Sequence, residues 1–361
     1  MRYFIGTFIV GLTILGTFLY GSRKLTEIPV DTLFPSTEGV AEKLSRLSLE
    51  EKIGQLLIAG FAHPYLDEHA RNLIENYHIG GFNLLKRNVS DAAGMVALAR
   101  DLQSHATIPL FIAVDQEGGD VARFPFLSEQ TPEYEIDDVV EATRVATIRA
   151  QELRGLGITM NFSPVLDYVS DPHSYLYTRT FEKNPEEIGK LGSAMIQGYH
   201  DGGIVPVAKH FPGYGNITPD PHRSAARLTN GILLETFLLP FREAVKAGVG
   251  AIMTAHVVIP EVDDVPATFS ARFLIDLLRH DVGFTGVIIT DDLEMVSAGG
   301  DVPELSVRAI EAGADMLIST YTPQTHIAIL EKLKEAVRSG RLSEERINES
   351  VLRILTLKKR I

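Results

Sequence analysis

"GVIITDD" (286–292) is an apolar run that ends in two carboxylates. Seven further runs have the same character: "GQLLIAGF" (54–61), "IGGFNLL" (79–85), "PLFIAVD" (109–115), "ITMNFSPVLD" (158–167), "IVPVAKH" (204–210), "VGAIMTAH" (249–256) and "ADMLIST" (314–320). Strands with one wet face alternate apolar and polar residues, and these do not. Continuous apolar runs fit parallel strands covered on both faces. Segments with helical periodicity separate them, such as 137–157 and 234–248, and several end in Gly just before the next run. Eight such βα units predict a TIM (β/α)8 barrel, an α/β fold in a single catalytic domain over residues 41–361. The rival is an open doubly wound sheet, and no phosphate-loop signature accompanies the repeats to favour it. The tail 333–361 reads as closing helices.

The polar residues fall at the ends of these runs. Asp115 ends the third, Asp167 the fourth, Lys209 and His210 the fifth, His256 the sixth, and Asp291 with Asp292 the seventh. One Asp after a strand is ordinarily a turn or a helix cap. Five strands ending in ionisable side chains point to a site on the C-terminal face, where barrel active sites form. After the fifth run comes "FPGYGNITPDPHRSAARL" (211–228), a loop shaped by Gly and Pro that carries Asp220 and His222. Arg123 and Arg179 complete the candidates. These side chains suit either glycoside hydrolysis, with a carboxylate nucleophile opposite a proton donor, or metal-assisted hydrolysis with His and Asp ligands. The chain has no HExxH and no HxH pair on a strand, which weighs against the metal.

Composition narrows the class further. The 361 residues carry a formal net charge of -13 and no long basic run, so a nucleic-acid surface is not expected. The absence of cysteine removes disulfides, thiolate catalysis and cysteine-bound zinc. Tyr3 to Tyr20 holds 18 residues without a charge, between Arg2 and the pair Arg23 and Lys24. That length spans a bilayer and is long for a signal-peptide core. Residues 1–25 are therefore expected to be a membrane anchor, with a cleaved signal as the alternative, and 26–40 a linker. The globular part is expected outside the cytoplasm, membrane-anchored or secreted.

"LSLEEKIGQLLIAGF" (47–61), "AVDQEGGDVARF" (113–124), "NFSPVLD" (161–167), "RTF" (179–181), "AKHFPGYG" (208–215), "DPH" (220–222) and "VIITDDLEM" (287–295) occur in this order. Together they resemble the β-N-acetylglucosaminidases of glycoside hydrolase family 3, over nearly the whole chain after the N-terminal segment. The resemblance implies a single barrel that removes terminal N-acetylglucosamine from cell-wall-type glycans of a bacterial envelope, without metal or cofactor. It implies that Asp291 is the nucleophile of a retaining mechanism. It also implies that His222 is an unusual general acid/base oriented by Asp220, and that Asp115, Arg123, Arg179, Lys209 and His210 hold the sugar. Asp292, Asp167 and Glu117 read as structural; His256 reads equally as pocket lining or as a satisfied rim histidine. Gly118 and Gly119 read as a tight turn near the sugar. The chain departs from the family pattern at Tyr214 and Asn216, which replace His and Asp, and at Pro221, which replaces Ser between the dyad partners. Pro221 fixes its own φ and restricts Asp220, which stiffens the loop. Other readings are another β-glycosidase or a glycosyl phosphorylase on the same scaffold, and a non-catalytic anchored sugar-binding barrel.

Overall fold

Each apolar run contains a strand. They are β1 (Leu57–Ala59), β2 (Gly81–Leu84), β3 (Phe111–Val114), β4 (Met160–Asn161), β5 (Val205–Phe211), β6 (Ala251–Thr254), β7 (Val287–Asp292) and β8 (Met316–Ser319). In this computed structural model, residues 39–361 are described apart from 218, 219, 222, 223, 225, 229–233, 296 and 297. The eight strands pair in parallel and close into a barrel. Closure is made where Leu57, Ile58 and Ala59 of β1 lie opposite Leu317, Ile318 and Ser319 of β8. Every residue of these strands is buried except Asp291, which is partly exposed. Burial on both faces is what the unbroken apolar runs required.

The fourth run behaves differently from its composition. β4 covers only Met160–Asn161, and the apolar residues after it form an irregular rim. Pro164 has no N–H to donate, so the ladder cannot continue through it. The chain rejoins the sheet at one bridge, between Val165 and Lys209.

Helices cover the outside. They are α1 (Val40–Arg46), α2 (Leu49–Gly54), α3 (Glu68–Glu75), α4 (Ala92–Ser104), α5 (Val139–Gly155), α6 (Pro185–Asp201), α7 (Leu234–Lys246), α8 (Val302–Ala312), α9 (Pro323–Arg338) and α10 (Glu344–Lys358), with a wider helical segment over Arg272–Asp281. α5 and α7 fall inside the periodic stretches that predicted them. α5 starts at Asp138, whose carboxylate accepts from the N–H groups of Val140 and Glu141 and satisfies donors that the first turn leaves orphaned. α8 ends at Gly313, where φ is 118° and only glycine adopts the turn without strain.

α10 is the predicted closing helix, and it seals the barrel floor. Its Lys358 is buried and donates to Gln55 Oε1 at 2.7 Å and to the Gly80 carbonyl at 2.9 Å. Gln55 and Gly80 precede β1 and β2, at the N-terminal ends of the strands. Burial pushes the Lys358 ammonium well below its usual pKa. On the opposite face, Ala226–Arg227 pairs with Val257–Val258. This small sheet ties the loop after β5 to the loop after β6. Among the described residues no helix is long and apolar enough to cross a membrane; the expected anchor lies outside the described residues.

Lys358→Met leaves two acceptors without their donor in the floor. It should cost on the order of 3 kcal/mol of stability, read by urea unfolding, with kcat unchanged because the site lies at the other end of the barrel. A fall in kcat with unchanged stability contradicts the floor role.

Candidate active site

The C-terminal ends of the strands surround a cavity of about 300 Å³. Asp115, Arg123, Arg179, Lys209, His210, Asp220 and Asp291 all line it. The barrel thus brings together, from the ends of four strands and the loops that follow them, every residue of the implied catalytic and sugar-holding set that falls on described residues. His222 lies outside the described residues.

One wall is a charge cluster. Lys209 Nζ lies 2.8 Å from Asp115 Oδ1 and 2.6 Å from Glu117 Oε1. Arg179 grips Glu117 with two hydrogen bonds, Nε to Oε2 at 2.9 Å and Nη2 to Oε1 at 2.7 Å. Arg123 Nη2 lies 3.5 Å from Asp115 Oδ2. Lys209 and Glu117 are only 1% and 2% exposed, so these charges must pair inside the protein. Burial opposes ionisation of Asp115, but Lys209 and Arg123 outweigh it and hold the carboxyl well below the usual range. Burial likewise opposes the Glu117 charge, and Arg179 with Lys209 brings that group down to about 2. Burial would lower Lys209 too, yet Asp115 and Glu117 raise it. Glu117 therefore works as a scaffold that presents Lys209 and Arg179, as its structural reading expected.

The turn that carries Glu117 is held from below. Arg149 is fully buried and donates to the Glu117 carbonyl at 2.7 Å and to the Thr131 carbonyl at 2.6 Å. Gly118 has φ 94°, and a Cβ there would meet the Thr131 oxygen at 2.3 Å. The tight turn read from Gly118 and Gly119 follows from this close approach.

The His210 ring is positioned by Asp167. The buried Asp167 Oδ2 accepts from the His210 backbone at 2.9 Å and pairs with its Nδ1 at 2.8 Å. The other oxygen accepts from the Tyr214 N–H at 2.6 Å. With its Nδ1 proton on a carboxylate, a neutral His210 ring leaves Nε2 as an acceptor.

The opposite wall is Asp291, at the end of β7. Its Oδ2 accepts from the Tyr214 hydroxyl at 3.1 Å, and its Oδ1 accepts from the Asp292 N–H at 2.9 Å. The Tyr214 oxygen in turn accepts from the His256 N–H at 3.0 Å. Tyr214 is buried, and burial with the Asp291 charge pushes its hydroxyl well above its usual pKa, so it remains a donor. The residue that departs from the family pattern thus sits directly on the candidate nucleophile. A second departure is a loop clamp: Asn216 Oδ1 accepts from the N–H groups of Ser170 and Asp171, at 2.8 and 3.0 Å.

Asp292 is buried, accepts from the Thr320 hydroxyl and from the Glu294 N–H at 3.0 Å, and is pushed by burial up to about 7. It caps the loop that follows β7. His256 is fully buried behind the wall, with Nε2 at 3.0 Å from the Asp292 carbonyl and Nδ1 at 2.8 Å from Thr268 Oγ1. Of its two readings, the satisfied rim histidine is the one observed. Two residues were not legible beforehand. Asn83 on β2 lines the cavity, is 5% exposed, and its Oδ1 has no partner among the described residues. An asparagine inside an apolar run is the only sequence signal it left. Glu133, in a short turn under the rim, accepts from the Val165 N–H at 3.0 and 3.1 Å. Burial and the neighbouring Glu117 charge raise it to about 8.

Comparison with known proteins gives a consistent picture. The profile of the "Glycosyl hydrolase family 3 N terminal domain" matches residues 48–357. A protein named beta-hexosaminidase from Tolumonas auensis is 38% identical over 280 residues, covering 74% of this chain and 84% of the relative. Beta-hexosaminidase A from Pseudoalteromonas piscicida is 33% identical over 326 residues; the match covers 80% of this chain but only 54% of that protein. A solved glycoside hydrolase family 3 beta-N-acetylglucosaminidase from Paenibacillus sp. superposes with TM-score 0.84 at 39% identity, over 87% of this chain and 62% of that one.

The two buried glutamates predict opposite pH effects on stability. Glu133 ionises near 4.5 when unfolded but near 8 in the fold, so its contribution is complete below about pH 4.5 and is lost as pH rises through about 8. Glu117, at about 2 in the fold, contributes above about pH 4.5 and loses that contribution as pH falls through about 2. Glu133→Gln should therefore stabilise the protein at pH 8 by on the order of 3 kcal/mol and leave it near wild type at pH 4.5. Urea unfolding at both pH values reads the difference; an equal effect at the two contradicts the assignment.

Proposed function

This chain belongs to glycosyl hydrolase family 3, and on that premise we propose that it is an exo-acting, retaining β-N-acetylglucosaminidase. One observation carries the reading. Asp291, oriented by Tyr214 and the Asp292 N–H at the end of β7, lines one small cavity with Asp115, Lys209, Arg123 and Arg179, and Asp115 follows β3, four strands away round the barrel. A carboxylate opposite a cluster of charged hydrogen-bonding groups suits attack on the anomeric carbon of a bound sugar.

The sugar is held first. Asp115 accepts from hydroxyls, Lys209 and the arginines donate to hydroxyls and to the acetamido carbonyl, and the His210 Nε2 adds an acceptor. Asp291 then bonds to the anomeric carbon while the bond to the leaving oxygen breaks. Tyr214 and the Asp292 N–H fix the rotamer of the carboxylate, so little reorganisation is needed at that moment. His222, oriented by Asp220, gives its proton to the leaving oxygen and later takes one from the water that releases the sugar from Asp291. A histidine suits both tasks because its charge changes near neutral pH. Asp220 and Pro221 already line the cavity, which supports delivery of the adjoining residue to the bond. The uncharged Tyr3–Tyr20 segment supports a place outside the cytoplasm, where cell-wall-type glycans are the substrate.

Release of 4-nitrophenol from its N-acetyl-β-glucosaminide tests the reading. Asp291→Ala should lower kcat by on the order of 10⁴-fold, and His222→Ala should slow both steps. Tyr214→Phe removes the hydrogen bond to Asp291 together with the acceptor of the His256 N–H, and should reduce kcat/KM by roughly tenfold. If Asp291→Ala keeps activity, the proposal is wrong. If product forms as the sugar phosphate in proportion to added phosphate, phosphorolysis replaces hydrolysis.

A further inference from the structure

Besides the charge cluster, the cavity lining includes apolar and aromatic side chains, and among these Tyr321 is the most exposed. Tyr321, in the loop between β8 and α9, lines the cavity yet is 57% exposed. A large aromatic ring left in water at the mouth of a polar pocket calls for a ligand or a neighbour.

The ring is held in place from behind. The Arg87 guanidinium sits 5.7 Å from its centroid. Arg87 is pinned in turn, donating through Nε to the Phe61 carbonyl at 2.7 Å and through Nη2 to the Thr320 carbonyl. The Tyr321 backbone N–H donates to Glu294 Oε1 at 2.9 Å, and the same oxygen accepts from Ser319 Oγ at 2.7 Å. The loops after β1, β2, β7 and β8 thus converge to fix one aromatic ring, with a cation behind it. Such a ring loses little conformational entropy when it stacks on a ligand.

The cavity itself is small. At about 300 Å³ it is at the low end for a ligand pocket, which suits one sugar ring among the charged groups and leaves the departing residue at the mouth. The C–H face of a pyranose is apolar and matches an aromatic ring.

We propose that Tyr321 is the stacking platform for the sugar on the leaving side of the scissile bond, so that the subsite beyond the cavity selects a carbohydrate leaving group. The assignment rests on the glycosidase reading above. A contact to the leaving group acts only in the first chemical step, since the glycosyl-enzyme formed afterwards is the same for every substrate. Its signature is therefore in kcat/KM for substrates with a sugar on that side.

The test compares the disaccharide of two β-1,4-linked N-acetylglucosamine units with free N-acetylglucosamine as a competitive inhibitor that fills only the cavity. Tyr321→Ala should lower kcat/KM for the disaccharide roughly fivefold to tenfold and change the inhibition constant of the monosaccharide less than twofold. Tyr321→Trp, which keeps a stacking face, should restore most of the loss. If both constants move together, or neither moves, or Trp fails to rescue, the platform is refuted while hydrolysis stands. If the wild type turns over no β-N-acetylglucosaminide, the glycosidase reading falls and this assignment with it.

Discussion

The site depends on Lys209 lying between two carboxylates. A fully buried lysine keeps its charge only when anionic partners replace its lost hydration. Asp115 and Glu117 provide that, at 2.8 and 2.6 Å. The same contacts fix where the charges point. Glu117 also takes Arg179, Asp115 also takes Arg123, and Arg149 holds the turn beneath. Removing one member of such a buried network typically costs about 3–5 kcal/mol, because its partner is left charged and unpaired. A rigid polar wall follows from electrostatics, before any substrate is considered.

The barrel makes this network possible. Its strands hold side chains from separate parts of the sequence at one end of a closed parallel sheet. The rest of the site is arranged by second partners. Asp167 orients His210, Tyr214 orients Asp291, and Arg87 supports Tyr321. Each of these pairs joins segments that follow or end different strands, so the shape of the cavity is fixed by contacts between loops rather than within them.

Much of this was legible in the sequence. Eight continuous apolar runs announced parallel strands, and the ionisable residues at their ends marked the face that carries the cavity. The fourth run misled in extent, because composition alone does not reveal where Pro164 ends the ladder. Tyr214 and Asn216 stood out only as departures from a family pattern. Their tasks depend on which loops meet in space, and local spacing carries no such information. The Oδ1 of Asn83, without a partner among the described residues, and the exposure of Tyr321 belong to the same class, since burial is a property of the assembled barrel. Residues 1–25 and His222 were read from sequence and lie outside the described residues.

The central claim is that Asp291, rather than the adjacent Asp292, forms the covalent bond to the sugar. A fluorinated N-acetylglucosaminyl fluoride slows both chemical steps and lets a glycosyl-enzyme accumulate. Mass spectrometry of a proteolytic digest then locates the adduct. The account predicts one added sugar, carried by Asp291. An adduct on Asp292, on Asp220 or on no residue at all would contradict it.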